Sequence, residues 1–319
     1  MQTSAGDGKP FGQLPDGTGL GAVDLRVTDI DRALDVWRDI FGLSVLAKEK
    51  GKVELGAGGR LLVVLHASAQ QRLQTKSLGL YHVAIHIPSR KEFARAAARL
   101  GAAGYKHSAS DHLATESIYL ADPDGNGIEL TFETFHRGRF ENIDGGVRAV
   151  AADGSTHSGL EPLRIEELLG ELKGDTSLHD PLPVGTYVGH IHLHIADPKK
   201  TTSFYADILG FEAWICAPRF GMYDAGTPSR RHIVAYNTWA GPDATRTTPD
   251  TAGLEQFLIE VPTKDALDGV TRRLNAANIP WKSDGKAILS SDPDGNQLRI
   301  ALKKDGAPSD SSASTTDNV

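Results

Sequence analysis

With 319 residues, 39% of them hydrophobic and 24% charged, the chain is long enough for two globular domains with separate cores. A formal net charge of -7 and the scatter of its Lys and Arg exclude a nucleic-acid surface, which needs concentrated cations. The single cysteine, Cys216, excludes an internal disulfide and a Cys-rich zinc site, so any metal must use nitrogen and oxygen ligands, for which there are 12 histidines.

The opening MQTSAGDGKPFGQLPDGTG has no charged stretch followed by an apolar one, so no signal peptide is expected. No apolar run reaches the ~20 residues of a membrane span. The expectation is a cytoplasmic protein without membrane or nucleic-acid partners, its first 18 residues disordered.

From there, residues 23–27 alternate as a strand does. Asp29 or Asp31 can cap a helix over 33–41 that stops at Gly42. Strands follow near 44–47, 53–55 and 61–65. The plan repeats with a strand at 82–87, a helix opened by Pro88 and Ser89 and running to Leu100, then strands at His107, 117–120 and 127–132. Between the last two, Asp-Pro-Asp-Gly-Asn is a hairpin turn, Pro setting φ and Gly or Asn accepting positive φ. Residues 136–185 read as a linker with a helix over 162–173.

The second half then restates the first. GAVDLRVTDIDRALDVWRDIFGLSVL (21–46) returns as GHIHLHIADPKKTTSFYADILGFEAWI (189–215), and LADPDGNGIEL (120–130) as SSDPDGNQLRI (290–300). GLYHVAIHIPSRKEFARAAARLGAAG (79–104) has its counterpart in GLEQFLIEVPTKDALDGVTRRLNAANI (253–279). The chain is a tandem duplication, and such repeats organise a fold before any local motif does. The fold class is α+β, four βαβββ modules in tandem at about 20–67, 79–135, 187–240 and 253–303. Two domains (19–135 and 186–304) flank the linker, and a tail from 305 to 319 is expected to be disordered.

Four such modules with a terminal DPDGNGIEL strand resemble the vicinal oxygen chelate superfamily, which includes glyoxalase I, extradiol dioxygenases and bleomycin-resistance proteins. The resemblance spans nearly all of 20–303. GLYHVAIHIPSR, SDHLATESIYLADPDGNGIEL, VGHIHLHIAD and AYNTWAG look like its catechol-2,3-dioxygenase branch. In that family metal ligands sit on first and last module strands, here Asp24, His82, His192 and Gln256, with Glu129 and Arg299 on last strands. Two histidines and a carboxylate leave an Fe(II) ion open positions for substrate and O2. His82, His192 and Glu129 supply that set. His190 and His194 share a face with His192, which is preferred because it aligns with Asp24. His86 lies on the His82 face, four residues on.

The resemblance further implies roles for three residues. His232 would stand beside O2, and His112 and Tyr119 would bind the substrate. Arg230 and Arg231 depart from the histidines that related sequences carry there; they face water or an anionic substituent. The activity implied is extradiol ring cleavage of a catechol-type diol by O2, with Fe(II), or Mn(II), as cofactor, in a homo-oligomer. Asp24 keeps open a glyoxalase-type isomerase or lyase, and a non-catalytic binder is a third reading. Neither half alone holds a full site, so the second module is expected to pair with the third, and the first with the fourth.

Overall fold

The computed structural model describes residues 12–304. The first module runs β1 (Gly19–Arg26), α1 (Ile30–Leu34), β2 (Ser44–Glu49), β3 (Lys52–Ala57) and β4 (Arg60–His66). The second has β5 (Ser77–His86), α2 (Arg90–Ala102), β6 (Ser108–Asp111), β7 (Thr115–Ala121) and β8 (Gly127–Glu133). Between the halves lie β9 (Gly138–Ile143), β10 (Gly146–Ala151), β11 (Thr156–His157), β12 (Glu161–Pro162) and α3 (Ile165–Gly170). The third module has β13 (Tyr187–His194), α4 (Pro198–Thr202), β14 (Glu212–Ala217), β15 (Met222–Gly226) and β16 (Val234–Asn237), followed by β17 (Thr245–Arg246). The fourth comprises β18 (Gly253–Val261), α5 (Lys264–Ala276), β19 (Trp281–Ser283), β20 (Ala287–Ser291) and β21 (Gln297–Leu302).

Two large sheets carry the fold, and each crosses the halves. One has the order β19-β20-β21-β18-β1-β4-β3-β2, joining the fourth module to the first. The other, β12-β6-β7-β8-β5-β13-β16-β15-β14, joins the second to the third. The pairing expected from the divided ligand set is thus the one formed. Its seams are antiparallel first strands, β5 on β13 and β1 on β18.

Within a half, the contacts are of another kind, and the Asp-Pro-Asp-Gly-Asn turns make them. Asp122 closes its turn by accepting the backbone N–H groups of Asp124 and Asn126, and also takes the Trp37 indole proton from the first module's helix. Asp292 does the same in the fourth module, accepting the Tyr205 hydroxyl at 3.0 Å. Both aromatic donors sit in π-helical stretches, Asp35–Ile40 and Ser203–Leu209, that continue α1 and α4. Those stretches end at Gly42 and Gly210, with φ of 98° and 96°. Buried Arg99 and Arg273 reach across to satisfy their last carbonyls, at Ile40 and Phe41 and at Ile208 and Leu209.

Two expectations are corrected, one on the start of the chain and one on the linker. Residues 12–18 belong to the packed structure: Leu14 is buried, its N–H donates to Gly210 O, and Gly12 O accepts from Arg273. Residues 1–11 and the tail 305–319 lie outside the described residues. The linker is also richer than a loop with a helix. Its helix spans only Ile165–Gly170, Pro162 instead pairs with Ser110 in an edge strand, and residues 138–157 form a three-stranded sheet. Proline tolerates that edge position because no ladder bond is asked of its nitrogen.

Candidate active site

The concave face of the second-with-third sheet collects the histidines. On the β5–β13 seam, Ala84 stands opposite His190 and, on its other side, beside Glu129 of β8. One pleat further along β5, His82 points the same way. The alanine methyl leaves room above it, and three side chains converge there. His82 Nε2 lies 2.9 Å from Glu129 Oε2, His190 Nε2 3.0 Å from the same oxygen, and the two ring nitrogens are 3.3 Å apart. Adjacent octahedral ligands about 2.1 Å from a divalent ion stand about 3.0 Å from one another, so this triangle fits one face of such a shell. All three residues are buried. Burial works against an ionised Glu129, yet the facing His190 and His82 rings hold its pKa well below the usual carboxylate range. The carboxylate is thereby kept ionised between the two imidazoles.

His192, the expected ligand, is not part of this triangle. It faces His82 directly across the seam, but its Nε2 accepts a 2.8 Å hydrogen bond from Asn237 Nδ2. The Asn237 amide cannot turn round, because its Oδ1 accepts from the Trp239 backbone N–H and from His194 Nδ1. Register explains the exchange. His82 and His190 each lie seven residues before the N-cap of the following helix, Ser89 and Asp197 respectively, so the local two-fold of the cup superposes them. Alignment with Asp24 picked out the position two residues later. Counting back from the caps is the signal that would have found His190.

The same two-fold places Ala235, paired with His192 on β16, where Glu129 stands beside Ala84. The position that mirrors Glu129 therefore carries a methyl group. In the other cup the corresponding positions hold Gln256, Ala22 and Arg299, with Leu258 in the place of Ala84. Asp24 there accepts from Gln256 at 3.0 Å and pairs with His66 at 3.0 Å, in a different sheet from His82.

Behind the triangle, Glu133 Oε1 accepts His86 Nδ1–H at 2.7 Å, which leaves His86 Nε2 to accept from His190 Nδ1 at 3.4 Å. His190 is thereby held as the tautomer whose Nε2 lone pair faces the cup. Tyr187 donates to the same Glu133 oxygen at 2.7 Å. The sequence pointed to His86 by face alone; Glu133 and Tyr187 carried no signal.

The remaining residues flank the triangle. Tyr119 donates to Glu129 Oε1 at 3.0 Å, and burial, then the Glu129 charge, pushes its pKa well above the ordinary phenol value. His112 Nε2 lies 2.8 Å from the Tyr119 hydroxyl, while His112 Nδ1 donates to Gly159 O of the linker at 2.7 Å. On the opposite wall the His232 ring stands 4.4 Å, centre to centre, from that of His190. Its Nδ1 donates to buried Asp224 at 2.7 Å. Burial opposes charge on His232, but the bond and charge of Asp224, with Glu129 beyond, outweigh it and raise its pKa. Arg230 donates to Gly189 O and lies over the Tyr187 ring; Arg231 stacks on Trp214.

Comparison with known proteins agrees with this architecture. Residues 19–130 match the family model of the Glyoxalase/Bleomycin resistance protein/Dioxygenase superfamily. A catechol-2,3-dioxygenase from Bacillus subtilis (strain 168) is 32% identical over 283 residues, covering 86% of this chain and 94% of that protein. Among solved structures, a Bacillus subtilis protein superposes with a TM-score of 0.59 at 12% identity, over 91% of this chain and 86% of the other. Glyoxalase I from Zea mays does so at 0.51 and 14% identity, over 89% and 92%. The chain belongs to the glyoxalase, bleomycin resistance protein and dioxygenase superfamily.

Proposed function

We propose that this protein is an Fe(II)-dependent extradiol dioxygenase, with Mn(II) as the alternative ion, that opens a catechol-type ring with O2 to a semialdehyde product. The observation that carries the reading is the methyl group of Ala235 in the fourth ligand position, beside a two-histidine, one-carboxylate set. A metal held by His82, His190 and Glu129 keeps its other positions for substrate. A glyoxalase-type isomerase, which favours further carboxylates at ligand positions, finds none there. Nor would a passive binder need the His232–Asp224 pair.

Bound in this triangle, iron would acidify the ring hydroxyls and activate O2. The side chains around it handle protons. Tyr119 has one proton and two acceptors, Glu129 Oε1 and, since Nδ1 is committed to Gly159, His112 Nε2. A proton leaving a ring hydroxyl can therefore pass by way of Tyr119 to His112. Asp224 keeps the His232 Nδ1–H in place and leaves Nε2 to hold a proton for the oxygen side of the cup.

Loading the full chain with Fe(II) under anaerobic conditions and then supplying catechol in air should give the yellow ring-cleavage product. Failure to do so, with isomerisation of a hemithioacetal instead, would return the site to the glyoxalase class.

A further inference from the structure

The two first strands of the cup each carry one extra residue at the seam. On β5 it is Tyr81, since His82 pairs with His192 but Leu80 pairs with Leu193. On β13 it is Gly189, between Val188 and His190. Both lie eight residues before their helix caps, so the two bulges are counterparts, and a bulge re-aims the side chain it carries. At Gly189 there is nothing to aim, and the His86 ring takes the space; a Cβ there would come within 2.0 Å of it. At Tyr81 the phenol ring turns onto the cup face, 4.7 Å from His82, 5.1 Å from His192, 4.8 Å from His194 and 5.5 Å from Trp239. The symmetry is broken at this point. One end of the cup is filled with hydrogen-bonded histidine, and the other has an aromatic wall.

A pocket of about 330 Å³ opens beside that wall and reaches His82 and Tyr119. Leu73, Leu80, Leu120 and Ile128 line it, with Gln74, Thr75 and Ser77 as uncharged polar neighbours. None of the described residues lining it is Lys, Arg, Asp or Glu. Arg230, with Arg60 near it, lies over the Tyr187 ring, and Tyr187 pairs with His86 at the far end of β5. A carboxylate entering the Tyr81 pocket would lose water and meet no cation, whereas an alkyl group would gain by burial.

Building on the dioxygenase reading, we infer that Tyr81 and the Leu73-lined pocket beside it form a specificity subsite for a neutral, apolar ring substituent. The substrate class is then alkyl- or aryl-catechols, and ring-carboxylated catechols are refused.

Binding separates this from turnover. The full chain, loaded with Fe(II) and kept anaerobic, is titrated with catechol, 3- and 4-ethylcatechol and 3,4-dihydroxybenzoate, following catecholate absorbance. The better ethylcatechol should bind about ten-fold tighter than catechol, two buried carbons being worth roughly that. Dihydroxybenzoate should bind at least about ten-fold weaker than catechol. Leu73→Arg should raise dihydroxybenzoate affinity and lower that of ethylcatechol, and Tyr81→Ala should erase the ethyl preference. Dihydroxybenzoate binding as tightly as catechol overturns the inference while leaving the dioxygenase reading intact. An unchanged preference in Leu73→Arg overturns the placement of the subsite. Binding of no catechol at all overturns the dioxygenase reading and this inference with it.

Discussion

A strand that reads His-Ile-His-Leu-His offers three rings on one face, and only hydrogen-bond partners distinguish them. His190 turns its Nε2 to Glu129, His192 gives its Nε2 to Asn237, and His194 gives its Nδ1 to the same Asn237. His190→Ala should therefore lose nearly all bound metal, while His192→Ala should retain it; metal content after gel filtration reads both. Retention in the first variant and loss in the second would restore His192 as ligand. His232 stands outside the triangle, tied to Asp224. Its replacement by Ala should leave metal content unchanged and cut turnover by about 10²–10⁴, the usual worth of a general acid or base. A variant that purifies metal-free would make His232 a ligand.

At the scale of elements, the bulges matter more than the strands they interrupt. Gly189 lets the His86 ring lie over the β13 backbone and hold His190 through Nδ1. A Cβ at this position meets the ring itself, which has no free side to move to between Glu133 and His190. Gly189→Ala, like His86→Ala, is expected to weaken metal affinity by about 10- to 100-fold, the range typical of residues that orient a ligand. Competition with a chromophoric chelator measures it, and affinity within two-fold of the parent in both variants would show that His190 orients itself. The linker sheet has a comparable office, because Gly159 O fixes the His112 ring opposite Tyr119.

For the whole molecule, the consequence of cross-half pairing is that neither half can build the site. The first supplies His82 and Glu129, the second His190 and His232, and the seam between β5 and β13 brings them together. Residues 1–140 produced alone should bind metal far more weakly than the full chain and expose β1 and β5 as open sheet edges. Co-production with residues 141–319 should recover a one-to-one complex with one metal. A first half that binds metal with full affinity by itself would refute the shared cup.

The sequence alone determined the modules, their number and the residue types that gather in the cup. Alternation, helix caps and the Asp-Pro-Asp-Gly-Asn turns are local signals, and the duplication repeats them. It also implied the pairing of modules, since ligands were divided between the halves. What only the tertiary structure decided was register. A single extra residue at Tyr81 and another at Gly189 shift which side chains meet across the seam, and no local pattern announces a bulge. The same holds for Asp224, Glu133 and Gly159, which act through contacts with residues 8, 47 and 47 positions away in the chain. Local physics chose the strands; the choice among His190, His192 and His194 fell to the neighbouring strands, because a buried imidazole takes the role that its hydrogen-bond partners leave open.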